Sequence, residues 1–406
     1  VGEPSRVSAP PVISPTQGEF TFASMNLRRL FDTTDDPRTG DVVLTGEAFA
    51  RRIDQIAGAI TALLRGPDLI EVQEAETFAV LEALTRRLGG GYRAFLEEGN
   101  DPGGIDIGFL VNTARITVIS VQQEGRTAVY TTPSGATATL HDRPPLVLRG
   151  RIGDFPFRAV AVHLRSLINA TTPEVRAKRL AQAQAVADLA RRLEADNPSE
   201  GLVVLGDFNA FPFDDGLVDL VGIVQRGPAV PLQNLTLALP RDQGYTFIQE
   251  GVAQTLDHML INAALRSRWS RYQVAHINAD FGGTGYSDHD PPIATFVLDP
   301  AMPRTSAAGG TNAATFLTGE VAPGEIVSIF GSGIGASSRV LFNGRAATVL
   351  GAASGQVVTR VPEGNFDELT LRVGDSNEVR LPVAAAAPGI FGVLRNNEVA
   401  DVWVTG

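Results

Sequence analysis

Gly285-Tyr286-Ser287-Asp288-His289-Asp290-Pro291 sets a carboxylate and an imidazole side by side. An apolar run that reads as a strand, Pro292 to Leu298, follows at once. Asp288 can hold a divalent cation while His289 moves a proton, the two operations that phosphodiester hydrolysis requires. The same triplet, Ser287-Asp288-His289, also suits an Asx turn. Its meaning therefore depends on what the rest of the chain supplies.

Upstream, from about Glu19 to Leu298, short β-type runs alternate with helical stretches. Strand-like runs are Phe20–Met25, Leu69–Val72, Ile105–Leu110, Val118–Gln122, Leu146–Arg149, Phe157–Val162, Leu202–Leu205 and Leu256–Ile261. The spacing of apolar residues predicts helices over Ala48–Leu64, Thr77–Leu88 and Pro173–Leu193. In the last of these, Leu180, Val186, Leu189 and Leu193 are expected along one buried side. Strands interrupted by helices, with hairpin-like neighbours late in the order, predict an α/β fold of mixed sheets with helices outside. After Pro300 the texture changes. Residues 301–315 are small and Gly- and Ala-rich, as in a linker, and residues 316–406 hold short strands only, at the spacing of a β-sandwich.

Six segments place polar residues where a strand meets a loop, the usual location of sites on a rigid scaffold. They are Asn26, Glu74, His163, Asp207 with Asn209, Asp257 with His258, and Asp288 with His289. Each has a plain structural alternative. Asn26 suits a turn, Glu74 a helix cap, His163 a core position, Asp207 and Asn209 an Asx turn, and Asp257 or His258 a strand edge. Six such accidents in one chain are improbable together.

Composition narrows the classes. The chain has 406 residues, 44% hydrophobic and 19% charged, which are values of a folded protein. No apolar run is long enough to span a bilayer. There is no Cys, which excludes disulfides and thiolate metal sites. The formal net charge of -11 opposes broad attraction to nucleic acid, so such a substrate would need local Arg residues and a cation. The Pro- and Ser-containing start, Val1 to Gly18, is expected to be a processed end without a signal peptide.

Gly206-Asp207-Phe208-Asn209 and Ser287-Asp288-His289, with Gln73-Glu74 and Leu256-Asp257-His258, resemble the motifs of the endonuclease/exonuclease/phosphatase superfamily in order and spacing. The opening Ala23-Ser24-Met25-Asn26-Leu27-Arg28 through Asp35-Asp36-Pro37 resembles its bacterial extracellular nuclease branch. The resemblance covers roughly residues 20–298 and implies a catalytic domain over 19–300, a four-layer αββα sandwich of two mixed sheets. It implies Glu74 as principal metal ligand, assisted by Asn26 and Asp288, for Mg²⁺, with Mn²⁺ and Ca²⁺ as alternatives. His289 would handle a proton with Asp257 as its partner, and His163 would contact a phosphate oxygen or act as general acid. Asp207 would orient or deprotonate the attacking water, or bind a second metal. Asn209 would donate to the charge developing on phosphorus. Asp106 would orient His163, with a strand-edge Asp as its alternative. Arg165 and Arg143 are candidate phosphate contacts, with a solvated Arg as the alternative. One departure stands out: Arg28 occupies the position two after Asn26 where some members carry Asp.

In the last ninety residues, Val321-Ala322-Pro323-Gly324-Glu325 through Gly331, with Ala384 through Phe391, resembles a small all-β immunoglobulin-like module of the IPT/TIG type. That resemblance implies an exported or cell-surface bacterial protein and contact with a surface polymer or further domains. It also implies a chain that stops partway through a longer protein. The expectation for the whole is a monomeric, metal-dependent nuclease acting on DNA, with RNA as a second nucleic-acid substrate. Two alternatives are a phosphodiesterase or phosphatase for small or lipid phosphates, and a surface adhesion protein whose catalytic half is inactive.

Overall fold

A computed structural model describes residues 11–298 except 17, 241 and 282–284, and residues 304–313 and 320–405 except 333, 336–337, 354–355, 375, 377, 387–388 and 396–397. Two compact units divide the chain. The first ends at Leu298, and the second takes the residues after it together with Leu237–Leu239 and Asn262–Trp269.

The chain opens with β1 (Glu19–Leu30), α1 (Gly46–Gly58) and its π-helical extension Ala59–Leu63, β2 (Leu69–Ala75), α2 (Phe78–Leu88), β3 (Tyr92–Leu96) and β4 (Asp106–Asn112). There follow β5 (Ile116–Gln123), β6 (Val129–Thr131), β7 (Thr137–Thr139), β8 (Leu146–Ile152), β9 (Phe155–His163), α3 (Pro173–Asp196) and β10 (Gly201–Asp207). Next come α4 (Leu220–Gln225), β11 (Gln233–Asn234), β12 (Phe247–Gln249), β13 (Val252–Gln254), β14 (Asp257–Ile261), α5 (Ala263–Arg266), β15 (Trp269–Val274) and β16 (Pro292–Val297). Thr45, Thr77 and Thr172 start the three long helices, each hydroxyl accepting from the amide three residues on.

These strands form two six-stranded sheets, ordered β15-β16-β1-β2-β4-β3 and β11-β14-β10-β9-β8-β5. Both are mixed. β1–β2 and β9–β10 are parallel, whereas β1–β16, β2–β4, β10–β14 and β8–β9 are antiparallel.

The period-2 alternation of β1 explains the layering. Phe20 and Phe22, with Phe296 of β16, face the second sheet and meet Phe155 and Phe157 of β9. The ring centroids lie 6.1 Å apart for Phe20–Phe155 and 4.9 Å for Phe22–Phe157. Ala23, Met25 and Leu27 face the other way and pack with Ile53, Ile56, Leu81 and Leu84 of α1 and α2. Beneath the second sheet, Val160, Val162, Leu202 and Val204 pack with Val186, Leu189, Val221 and Val224 of α3 and α4. Each Val, Leu, Ile, Met or Phe among them contributes roughly 1.5–3 kcal/mol on burial. The result is the expected four-layer αββα sandwich.

One helix face differs from expectation. Leu180 is 39% exposed, while Arg179 and Gln182 are buried. The reason is polar: Arg179 reaches the carbonyls of Arg165 and Asn209, and Gln182 bonds the Arg165 amide and the Leu140 carbonyl. Satisfying those groups turns α3 away from the purely apolar stripe.

The second unit contains β17 (Arg304–Asn312), β18 (Ile326–Ser332), β19 (Val340–Phe342), β20 (Arg345–Ala346), β21 (Val349–Ala353), β22 (Gln356–Arg360), β23 (Glu368–Val373) and β24 (Val379–Pro382). They make two four-stranded sheets, β17-β18-β22-β21 and β20-β19-β23-β24. Val327, Ile329 and Val357 from one sheet share a core with Val340, Phe342, Leu369, Leu371 and Val373 from the other. This small all-β sandwich is consistent with an immunoglobulin-like module. A hairpin, β25 (Gly389–Arg395) and β26 (Glu398–Thr405), ends it.

The linker expectation needs correction over 304–312, which form β17 and pair antiparallel with β18. Ladder hydrogen bonds from β18 give these residues a partner that local composition does not reveal. Linker residues 301–303 and 314–315 lie outside the described residues, as do 1–10 and 17 of the expected processed start.

Candidate active site

Strand register gathers the polar residues. At the end of β10, Asp207 pairs with His163 of β9 on one side and with Asp257 of β14 on the other. Three neighbouring strands thus deliver a carboxylate, an imidazole and a second carboxylate to one edge. Gly206 permits it: with φ at 136°, a Cβ there would lie 2.0 Å from the Val162 carbonyl oxygen. The chain then turns through Asn209, at φ 49°, whose amide donates to Asp207 Oδ1 at 2.7 Å and whose Nδ2 donates to the Leu164 carbonyl at 3.2 Å.

In the facing sheet, Asn26 lies on β1 and Glu74 on β2. Glu74 adopts φ 61°, where the β2–β4 register shifts between Gln73 and Ala75. This bulge re-aims the side chain that regular alternation would have turned toward the helices. A left-handed non-glycine residue costs about 1–3 kcal/mol and persists where surrounding contacts fix it. Here Glu74 accepts from Asn26 Nδ2 at 3.1 Å and from the Arg29 amide at 2.9 Å. Arg28 and Arg29 are left-handed too, at φ 47° and 52°, and the Arg28 amide donates to Asn26 Oδ1 at 2.8 Å. From α1, Arg52 donates to the carbonyls of Leu27 at 2.6 Å and Arg28 at 3.0 Å, and also to that of Tyr286. It thereby fastens the Asn26 loop to the loop that carries Asp288.

His289 Nδ1 lies 2.8 Å from Asp257 Oδ2, and both side chains are buried. Burial disfavours the charged imidazole, yet the Asp257 carboxylate, its hydrogen bond and the charges of Asp207 and Asp288 raise its pKa to about 10. Asp207 moves the opposite way for an acid. Burial lifts it to about 7, against the pull of His289. His163 Nε2 stands 3.6 Å from Asp207 Oδ2, beyond a direct hydrogen bond and near enough for a bridging oxygen. Burial, then the positive charges of Arg143 and His289, hold His163 well below the usual histidine range. The two histidines therefore occupy opposite protonation states beside one carboxylate.

Asp207, Asp257 and His289 also form a group of three whose ligand atoms lie within 4.8 Å of one another. A protonated His289 with Nδ1 on Asp257 is a poor ligand, so that group suits a proton relay better than a cation. Glu74 and Asp288 are the two carboxylates that the sequence expectation names as ligands. Both are partly exposed, and Arg28 Nε approaches Asp288 at 3.8 Å. Carboxylates with an amide neighbour and no thiolate suit a hard divalent cation. Asn26, oriented with Nδ2 toward Glu74, holds that carboxylate in place.

Two sequence expectations are corrected. Asp106 does not bond His163: its Oδ1 accepts from the Gly99 amide at 2.7 Å, and His163 Nδ1 has no partner among the described residues. Asp106 lies on β4 of the opposite sheet, in a carboxylate-lined recess with Glu98 and Asp101. Nor is Arg143 free for phosphate. It pairs with Asp101 and donates to the carbonyls of His163 at 3.3 Å and Leu164 at 3.4 Å. Arg165 does remain available, because among the described residues its guanidinium bonds only Ser166 Oγ, at 2.9 Å.

Asp290 is not among the sequence candidates, and His258 takes a supporting part rather than a strand-edge one. Asp290, fully buried, accepts from the amides of Ile277, Asn278 and Ala279 and from His276 Nδ1, at 2.7–3.0 Å. Asn278 in turn donates to the His289 carbonyl at 2.6 Å, so Asp290 fixes the backbone behind His289. The second acid of Ser-Asp-His-Asp was its visible signal. His258 turns to the face opposite Asp257, with Nε2 2.8 Å from the Ala210 carbonyl and Nδ1 3.1 Å from Asn234 Nδ2. Burial lowers its pKa to about 4, so it pins the Asp207–Ala210 turn as a neutral ring.

No curated protein matches the sequence. Among solved structures, the chain is similar to zebrafish (D. rerio) TDP2 complexed with a single-strand DNA product, at 18% identity and TM-score 0.49, covering 69% of this chain and 99% of that one. It is similar to the human Nocturnin catalytic domain at 17% identity and TM-score 0.48, covering 69% and 95%. It is also similar to an endonuclease/exonuclease/phosphatase family protein from Bacteroides thetaiotaomicron at 16% identity and TM-score 0.47, again covering 69% and 95%. The model of the Endonuclease/Exonuclease/phosphatase family matches residues 21–281, and the chain belongs to that family.

Proposed function

We propose that this chain is a divalent-metal-dependent phosphodiesterase, an exported nuclease that hydrolyses DNA and, secondarily, RNA. The observation that carries the reading is geometric: His289 is held 2.8 Å from Asp257 and His163 stands 3.6 Å from Asp207, with Asp207 between His163 and Asp257 in the strand ladder. Asp207 orients the attacking water and accepts its proton, and His289 supplies a proton or positive charge at the phosphoryl oxygens. Asp257 keeps that imidazolium charged and fixes its ring. His163 and the second N–H of Asn209 Nδ2 hydrogen-bond the oxygens where charge accumulates. When bound at Glu74 and Asp288, a divalent cation supplies charge neutralisation at the phosphate and leaving oxygen.

A second reading, hydrolysis of small or lipid phosphodiesters, has its own support. A cavity of about 280 Å³ in the first unit is lined by Glu76, Glu98, Asp101 and Asp106 together with Arg38 and Arg126, a surface poorly suited to several phosphates. In the first reading the C-terminal sandwich is an IPT/TIG-type module that contacts a surface polymer or further domains. The deciding experiment is cleavage of plasmid DNA, bis-p-nitrophenyl phosphate and sphingomyelin in Mg²⁺, Mn²⁺, Ca²⁺ and EDTA. Metal-dependent nicking of the plasmid supports the nuclease. Turnover of the small substrates without DNA cleavage rejects it, and no cleavage at all rejects both readings.

A further inference from the structure

Two residues beyond Asn209 the chain presents an aromatic pair. Phe211 and Phe213 stack with ring centroids 5.4 Å apart and planes 12° from parallel, and Phe213 is 63% exposed. Exposed large apolar side chains are common singly and need no explanation. This pair differs in its mounting. His258 and Arg179 hold the carbonyls of Ala210 and Asn209, and Phe208 is buried edge-on against the His258 ring. The segment that presents Phe211 is thus anchored by the same groups that set Asp207 and Asn209. Four residues span at most about 14 Å, so the Phe213 backbone stays within that distance of Asn209.

We infer that the Phe211–Phe213 pair is a stacking platform for a nucleobase flanking the scissile phosphodiester. The inference rests on the nuclease reading and deepens it. Every base has a π-face, so an aromatic platform binds single-stranded or frayed nucleic acid without choosing sequence. It also recognises its ligand without positive charge, which matters on a chain of net charge -11.

The test compares Phe213→Ala and Phe213→Leu with the parent protein on two oligonucleotides, one bearing bases and one with abasic residues flanking a single cleavable linkage. Phe213→Ala should lower kcat/KM on the base-bearing strand by about tenfold, the scale of one base–aromatic stack, and leave the abasic strand within about twofold. Phe213→Leu, which keeps apolar bulk without the ring, should behave like Phe213→Ala. Equal losses on both strands, or none, would overturn the platform while leaving the nuclease reading intact. An effect confined to binding of phosphatidylcholine–sphingomyelin vesicles would overturn it in favour of a lipid surface. A parent protein that cleaves neither strand would remove the nuclease reading and the platform with it.

Discussion

His289 and Asp257 form a buried imidazole–carboxylate pair at 2.8 Å, and Asp207 stands beside Asp257 in the strand ladder. The pair governs the expected pH profile. Asp207, raised to about 7, becomes a carboxylate as pH rises through that value, and His289 stays protonated until about 10. Activity that needs both states rises through pH 7 and falls through pH 10. Asp257→Asn removes the charge that raises the histidine. The alkaline limb of kcat/KM for bis-p-nitrophenyl phosphate should move down by about one unit or more. An unmoved limb would show that Asp257 does not set the state of His289.

Electrostatically coupled to this pair is an acid with no signal in the residue pattern. Glu71 is fully buried between the sheets, accepts from Ser24 Oγ at 2.6 Å, contacts Gln73 Nε2, and has an unpartnered Oε1. Burial first, then the charges of Asp257 and Asp207, raises its pKa well above the usual carboxylate value. The folded state therefore keeps a proton that the unfolded state loses near 4.5, so stability falls as pH rises from there toward the folded pKa. Each unit in that window costs about 1.4 kcal/mol. Glu71→Gln keeps the shape without the charge, and its Tm should exceed that of the parent at pH 8 and converge with it below pH 4. Equal pH dependence in both proteins would mean that Glu71 is ionised in the fold.

Arg143 offers a contrast between a structural and a substrate-binding arginine. Its contacts with Asp101 and with the carbonyls of His163 and Leu164 predict a positioning role. Arg143→Gln leaves Asp101, which still accepts from the Gly103 amide, without its charged partner and should lower stability by about 1–3 kcal/mol. Among folded molecules it should lower kcat more than it raises KM, with the salt dependence of DNA binding unchanged. A KM effect with a shallower salt slope would return Arg143 to the phosphate.

Much of this centre is visible in sequence because its residues sit at strand ends. Hydrophobic alternation locates Phe20–Met25, Leu202–Leu205 and Leu256–Ile261, and the polar residue after or at the start of each run is the site residue. What remained hidden depends on neighbours from distant sequence. The bulge that re-aims Glu74 is set by pairing of β2 with both β1 and β4. Asp106 was assigned by the family resemblance and its strand position, and the Gly99 turn that captures it carries no periodic signal. Buried Arg179 displaced an apolar expectation because its carbonyl partners lie on two separate loops. β3 and β15 were missed as short, half-polar edge strands whose formation depends on a pairing partner.

The most direct test of the central claim is the rate of plasmid nicking by EDTA-treated protein, with and without added Mg²⁺, for the parent and His289→Ala. The account predicts nicking that Mg²⁺ restores in the parent, and a loss of at least about 10³-fold in a His289→Ala protein that still folds. Nicking that survives EDTA, or a His289→Ala variant as active as the parent, would contradict it.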